Sequence, residues 1–76
     1  MKNANELSRA QRLILSAVKI ETESFGDYAP SDCVWDCVQD SMNKNEFAGN
    51  LGALIAAGAI TLEHTTDDGV NWYAAV

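Results

Sequence analysis

The chain is predicted to fold as one α+β domain, three helices followed by a C-terminal β-hairpin, and three observations carry that expectation. Apolar residues recur at helical spacing in three separate segments before Gly58. After Gly58 the period shortens to two in Ile60-Thr61-Leu62-Glu63-His64-Thr65. Asp67-Asp68-Gly69 then separates this run from Val70-Asn71-Trp72-Tyr73-Ala74-Ala75-Val76, as in a hairpin. Finally, 76 residues with 47% hydrophobic and 21% charged side chains make a chain apolar enough to fold but too short for more than one core. Residues 1–6 are read as a flexible N-terminus and residues 7–76 as the single domain.

Ser8 opens the first helix, because its hydroxyl can accept from the Gln11 N–H while the Gln11 side chain reaches back to the Ser8 N–H. This helix is expected to run to about Glu23. Ala10, Leu13, Ile14, Ala17, Val18 and Ile20 lie on its broad apolar side, and Arg9, Arg12, Ser16, Lys19 and Glu23 on the other. Gly26 supplies a stop, and Tyr28-Ala29-Pro30 is extended because the residue before a proline avoids helical angles. Phe25 and Tyr28 are expected to cover the core edge. Ser31 is expected to cap a second helix over residues 32–41, with Val34, Cys37 and Val38 inward, Trp35 beside them, and Asp32, Asp36, Gln39 and Asp40 in water. Asn43 or Asn45 caps a third helix over residues 46–57. Its inner stripe is Phe47, Leu51, Leu54 and Ile55, and its stop is Gly58.

Net charge is −6, and it is unevenly placed. Lys2, Arg9, Arg12, Lys19 and Lys44 all precede residue 45, whereas residues 45–76 hold Glu46, Glu63, Asp67 and Asp68 with no base. Such a field repels phosphate backbones and anionic lipid, and favours basic partners or simple solubility. No apolar run approaches the ~20 residues of a membrane span, and Met-Lys-Asn-Ala-Asn-Glu lacks the apolar core of a signal peptide, so a cytoplasmic location is expected.

The sequence offers no catalytic set. It has no glycine-rich phosphate loop and a single histidine, His64, which reads as a half-exposed strand residue. Cys33 and Cys37 lie one helical turn apart, a poor geometry for a disulfide and two ligands short of a zinc site, so both read as reduced, partly buried thiols. Asp32, Asp36 and Asp40 share one face of the second helix and read as solvated. No enzyme activity, metal or cofactor is expected.

The order of elements resembles the winged helix-turn-helix family over residues 7–76. Carrying the resemblance are Leu13-Ile14-Leu15, Pro30-Ser31-Asp32, and the run Leu51, Leu54, Gly58, Ala59 and Ile60, followed by Asp68-Gly69 at the wing tip and Tyr73 in the last strand. The resemblance implies that the third helix enters the major groove and that the wing touches the backbone or minor groove, often in a dimer. By position it places the reading surface on Asn45, Glu46, Gly49, Gly52, Ala53 and Ala56, with a wing over residues 65–70. It also implies that Tyr73 enters the core, leaving Trp72 partly exposed.

Composition departs from that family's usual chemistry. Direct readout needs Arg, Lys, Asn or Gln at base edges and affinity needs cations on phosphates, yet on the third helix only Asn45 and Asn50 could bond a base. Two glycines inside this helix cost about 1 kcal/mol each against alanine, while side chains this small admit a second backbone. The expected function is therefore protein contact through Asn45, Glu46, Gly49, Gly52, Ala53 and Ala56, the acidic wing residues Asp67 and Asp68, and Trp72. The partner would be a second copy or a different protein. So small and acidic a domain suits a bacterial or phage-encoded adaptor or inhibitor, including one that mimics nucleic-acid charge. The alternative is a transcription regulator that binds DNA as a homodimer through the third helix and the wing, with Arg9, Arg12, Lys19, Lys44, Asn45 and Asn50 as contacts.

Overall fold

Ser8 caps the first helix with the reciprocal bonds its sequence calls for: Gln11 N donates to Ser8 Oγ at 3.2 Å and Ser8 N to Gln11 Oε1 at 3.1 Å. The structure, a computed structural model, describes residues 7–76, and the flexible N-terminus expected for residues 1–6 lies outside the described residues. Helix α1 spans Arg9–Phe25. It continues past Glu23 because Gly26 is the first residue to leave helical angles, at φ 109°, its N–H still bonded to the Thr22 carbonyl at 2.9 Å. Ile14, Ala17 and Val18 are buried, but Ile20 is 56% exposed, contrary to expectation. It lies more than a quarter turn round the helix from the Ile14–Val18 seam, beyond the reach of the packed neighbours.

Ala29–Pro30 forms a two-residue strand, β1, followed directly by α2 over Ser31–Val38. Pro30, not Ser31, is the N-cap residue, extended at φ −74° and ψ 141° and giving no side-chain cap bond. Pairing of Pro30 with Trp72 holds it as the last extended residue, so Ser31 becomes the first helical one. Asp32 instead accepts from the Cys33 N–H at 2.9 Å. The helix ends three residues earlier than expected, in a turn where Ser41 N bonds Val38 O at 2.8 Å, and this places Asp40 off the helix. Val34 and Val38 supply the buried stripe, Trp35 is half-buried, and Cys37, expected inward, is exposed beside Glu21 of α1. Met42 is buried and anchors the turn between α2 and the next helix.

Helix α3, Lys44–Ala56, starts two residues before the expected position because Asn43 and not Asn45 is the cap. Glu46 N donates to Asn43 Oδ1 at 2.9 Å and Asn43 N to Glu46 Oε1 at 3.0 Å. At the far end Gly58, at φ 80°, allows a paired stop in which Gly58 N bonds Ile55 O at 3.0 Å and Ala59 N bonds Leu54 O at 2.9 Å.

Strands β2 (Ile60–Thr65) and β3 (Asn71–Ala75) form the expected hairpin, β3 being shorter than the run 70–76. Thr66 N bonds Val70 O and Gly69 N bonds Thr66 O across the turn, both at 2.9 Å. Among the described residues the sheet is three-stranded and antiparallel in the order β1-β3-β2, so β3 is central. Ala29 lies opposite Tyr73 on one side, and Leu62 opposite Tyr73 on the other. Between Leu62 and His64 the register shifts by one residue, leaving Glu63 unpaired as a bulge.

Helix α1 packs against α2, α3, β1 and β3. Ile14, Val18, Val34, Leu54 and Ile60 are fully buried at its centre, with Ala29, Val38, Phe47, Leu51 and Tyr73 around them. Each large side chain so buried contributes roughly 1.5–3 kcal/mol, a large share of the total for a domain of this size. Leu54→Ala is expected to lower unfolding free energy in urea by about 2–5 kcal/mol. Ile20→Ala, on the exposed edge of α1, is expected to change it by less than about 0.5 kcal/mol.

Candidate functional site

On α3, Asn45, Glu46, Gly49, Gly52, Ala53 and Ala56 are all exposed, in keeping with their expected place on the outer surface. A Cβ built on Gly49 or Gly52 would meet nothing within 4 Å. The domain's own packing therefore does not call for glycine at either position. The Glu46 carboxylate accepts in the cap through Oε1, and Asn50 Nδ2 donates to the Glu46 carbonyl at 2.8 Å, which holds that amide against the helix. Lys44 Nζ sits 5.1 Å from the centre of the Trp35 ring, a cation–π contact that occupies it. Of the expected base-contacting groups on α3, only Asn45 keeps an uncommitted amide.

The basic stripe on α1 is at the surface. Arg9, Arg12 and Lys19 are exposed, and Arg12 Nη1 donates to the Leu7 carbonyl at 2.6 Å.

Trp72 and Tyr73 point to opposite faces of β3, as neighbours on a strand must. Tyr73 is 5% exposed in the core and borders an open cleft of about 370 Å³ between the sheet and α3, with Lys44, Leu51, Gly52 and Ile55. Trp72 is half-buried on the other face. The structure therefore separates Trp72 from the glycine-bearing face of α3 with which it was grouped. The Glu63 bulge has a second effect. Strict alternation from Ile60 and Leu62 would turn His64 toward the core face, and the extra residue turns it to the Trp72 face instead.

An aromatic cluster results on that face. The His64 ring stacks on Trp72 (5.7 Å between centroids, 11° between planes), Phe25 meets Trp72 edge-on at 5.7 Å, and Tyr28 meets His64 edge-on at 5.7 Å. Phe25 and Tyr28, expected only to cover the core edge, remain 52% and 37% exposed. The Trp72 Nε1–H is buried and finds no acceptor among the described residues. In sequence, the assembly left one hint, the adjacent pair Trp72-Tyr73; the pairing of Pro30 with Trp72 and the bulge at Glu63 are tertiary facts.

At the β2–β3 turn, Asp67 and Asp68 are exposed. Asp68 accepts from the Thr66 hydroxyl, and chiefly that bond, with the Val70 N–H, holds its carboxyl below the ordinary aspartate range. The contact thus supports the turn above that range and is lost as acid takes the pH through the lowered value.

Cys33 is half-buried, Cys37 is exposed, and both are free thiols. Partial burial raises the pKa of both thiols. Asp32 and Glu21 add to it at Cys33, and at Cys37 so does Glu21, whose carboxylate accepts from Sγ at 3.4 Å. Among the described residues no three His, Cys, Asp or Glu side chains converge as a metal set, and no helix is long and apolar enough to cross a membrane. Compared with known proteins, the chain matches no family, no curated sequence and no solved structure.

Two outcomes check these placements. Gly49→Ala and Gly52→Ala are each expected to stabilise the protein by roughly 0.5–1 kcal/mol, raising the thermal midpoint by roughly 2–8 °C; a loss of stability would show that glycine is needed inside the domain. At neutral pH both thiols are expected to react with iodoacetamide more slowly than free cysteine, because a raised pKa leaves less thiolate. Glu21→Gln should accelerate Cys37, as read by mass spectrometry.

Proposed function

We propose that this chain is a winged-helix protein that acts by contact with another protein and not by reading DNA. The order α1-β1-α2-α3-β2-β3 and the sheet order β1-β3-β2 are compatible with a winged-helix layout, in which α2 and α3 form the helix-turn-helix and β2–β3 the wing. Fold alone leaves function open. The observation that carries the reading is the chemistry exposed on the two elements that would meet DNA. From Asn45 onward they present carboxylates, glycines and methyl groups without one cation, and the adjoining Lys44 lies over Trp35. Binding to a polyanion draws most of its free energy from cations that displace counterions, and an acidic surface reverses that contribution.

A face of Gly49, Gly52, Ala53 and Ala56 suits the close approach of a second backbone, and the acids Glu46, Asp67 and Asp68 suit a basic partner. An adaptor or inhibitor role follows, including occupation of a nucleic-acid-binding site by charge mimicry. The alternative, a homodimeric DNA-binding regulator, is favoured by one observation: Arg9, Arg12 and Lys19 stand exposed on α1.

A mobility-shift titration against random and genomic duplex DNA at low salt separates the two. No retardation is expected; retardation that weakens steeply with salt and is reduced in Arg9→Gln would overturn the protein-contact reading. Light scattering of the protein alone and with Gly49→Arg and Gly52→Arg then tests the α3 face. If a second copy is the partner, Gly49→Arg and Gly52→Arg should each return the protein to monomer mass. If both leave mass and partner capture unchanged, α3 is not the contact surface.

A further inference from the structure

The face of the sheet opposite α3 carries a second surface with its own chemistry. An open cleft of about 340 Å³ is lined by Phe25, Pro30, Asp32, Asp68, Val70 and Trp72, among others. Past Phe25 and Trp72, which border both, it continues into a hollow of about 200 Å³ that includes Asp27, Tyr28 and His64. We infer that this cleft receives an arginine side chain from a basic segment of a partner protein, its guanidinium against the rings of Phe25 and Trp72 and paired with the carboxylates of Asp32 and Asp68. The inference rests on the protein-contact reading and names the partner's chemistry.

Three features select that occupant. Charge is the first: Asp27, Asp32 and Asp68 border the two hollows and, among the described residues, no Lys or Arg does, so a cation is attracted and a phosphate or carboxylate repelled. The carboxylates are also available. Asp32 accepts from the Cys33 N–H and Asp68 from the Thr66 hydroxyl, with the Val70 N–H beside it, and among the described residues neither carboxylate is paired with a cation.

The second feature is the aromatic surface. Phe25 stands half in water at the end of α1, held edge-on against Trp72, and Tyr28 is likewise exposed. Ring faces beside carboxylates favour a cation over a neutral apolar group. The third is shape. A planar guanidinium can lie on a ring and still fork to a carboxylate at its edge, which the compact ammonium of lysine cannot do. Arginine is therefore the side chain that uses both features together.

The test titrates isotopically labelled protein with an acetylated, amidated Gly-Arg-Gly-Arg-Gly peptide and with its Lys and Gln counterparts, following amide and indole resonances. Expected is a saturable shift of the Trp72 indole and of the amides of Cys33 and residues 66–70, with arginine roughly threefold tighter than lysine and roughly tenfold tighter than glutamine. Asp68→Asn, Asp32→Asn and Phe25→Ser should each weaken binding roughly threefold or more, while the resonances of buried Ile14 and Leu54 stay in place. Equal binding of the three peptides, shifts centred instead on Asp36 and Asp40, or indifference to Asp68→Asn would overturn the inference. So would a concentration-dependent rise in mass abolished by Arg9→Gln or Arg12→Gln, which would assign the cleft to α1 of a second copy. Duplex DNA is titrated in parallel. Binding of DNA overturns the protein-contact reading itself, whereas failure of both peptide and DNA overturns the arginine site alone.

Discussion

Tyr73 sits in the middle strand of the sheet, buried between Ala29 on one edge and Leu62 on the other, and the direction of its neighbours follows from that one placement. A strand alternates faces residue by residue, so burial of Tyr73 sends Trp72 outward and carries Pro30, opposite Trp72, to the same side. Slipping the register by one residue would put the indole into the core and the phenol into water, with every other side chain of β3 exchanged. Register is therefore strongly specified here, and the two exposed surfaces are set with it.

Helix α1 is the other half of that constraint. Ile14 and Val18 seal the inner side of the sheet while α2 and α3 lean on the same seam. Because the domain has only one core, the seam is shared by all six elements, and a cavity there is felt everywhere. The caps act locally. Reciprocal side-chain bonds at Ser8 and Asn43 and the glycine stops at Gly26 and Gly58 define where α1 and α3 begin and end.

Two faces remain outside this framework, and they differ in kind. The α3 face is small-residue, with glycines the fold does not require, one of which, Gly52, borders the cleft against the sheet. The outer sheet face is aromatic, rimmed by carboxylates and creased by a cleft. Among the described residues the outer sheet face carries no Lys or Arg and the α3 face only Lys44, which is turned onto Trp35, while Arg9, Arg12 and Lys19 are on α1. The uneven charge of the sequence thus becomes a division between surfaces.

Local signals determined a good deal of this protein. The Ser8 capping box, the stops at Gly26 and Gly58, the buried Phe47-Leu51-Leu54 stripe and the Ile60–Thr65 strand are properties of short segments, fixed by hydrogen-bond spacing and periodicity, and they were legible without a structure. The lack of cations after Lys44 was legible too, because composition needs no coordinates. What failed depended on neighbours distant in sequence. Pro30 displaced Ser31 as the cap because β3 pairs with it; Cys37 and Ile20 lay on apolar sides that no other element came to cover. Residues 28–30 were legible as extended, but a strand of two residues has no period to detect, so the pairing of β1 with β3 was invisible. The aromatic cluster joins residues 25, 28, 64 and 72 through strand pairing and a one-residue bulge at Glu63, and only the tertiary structure could decide it, because side-chain direction after a bulge depends on the partner strand's register.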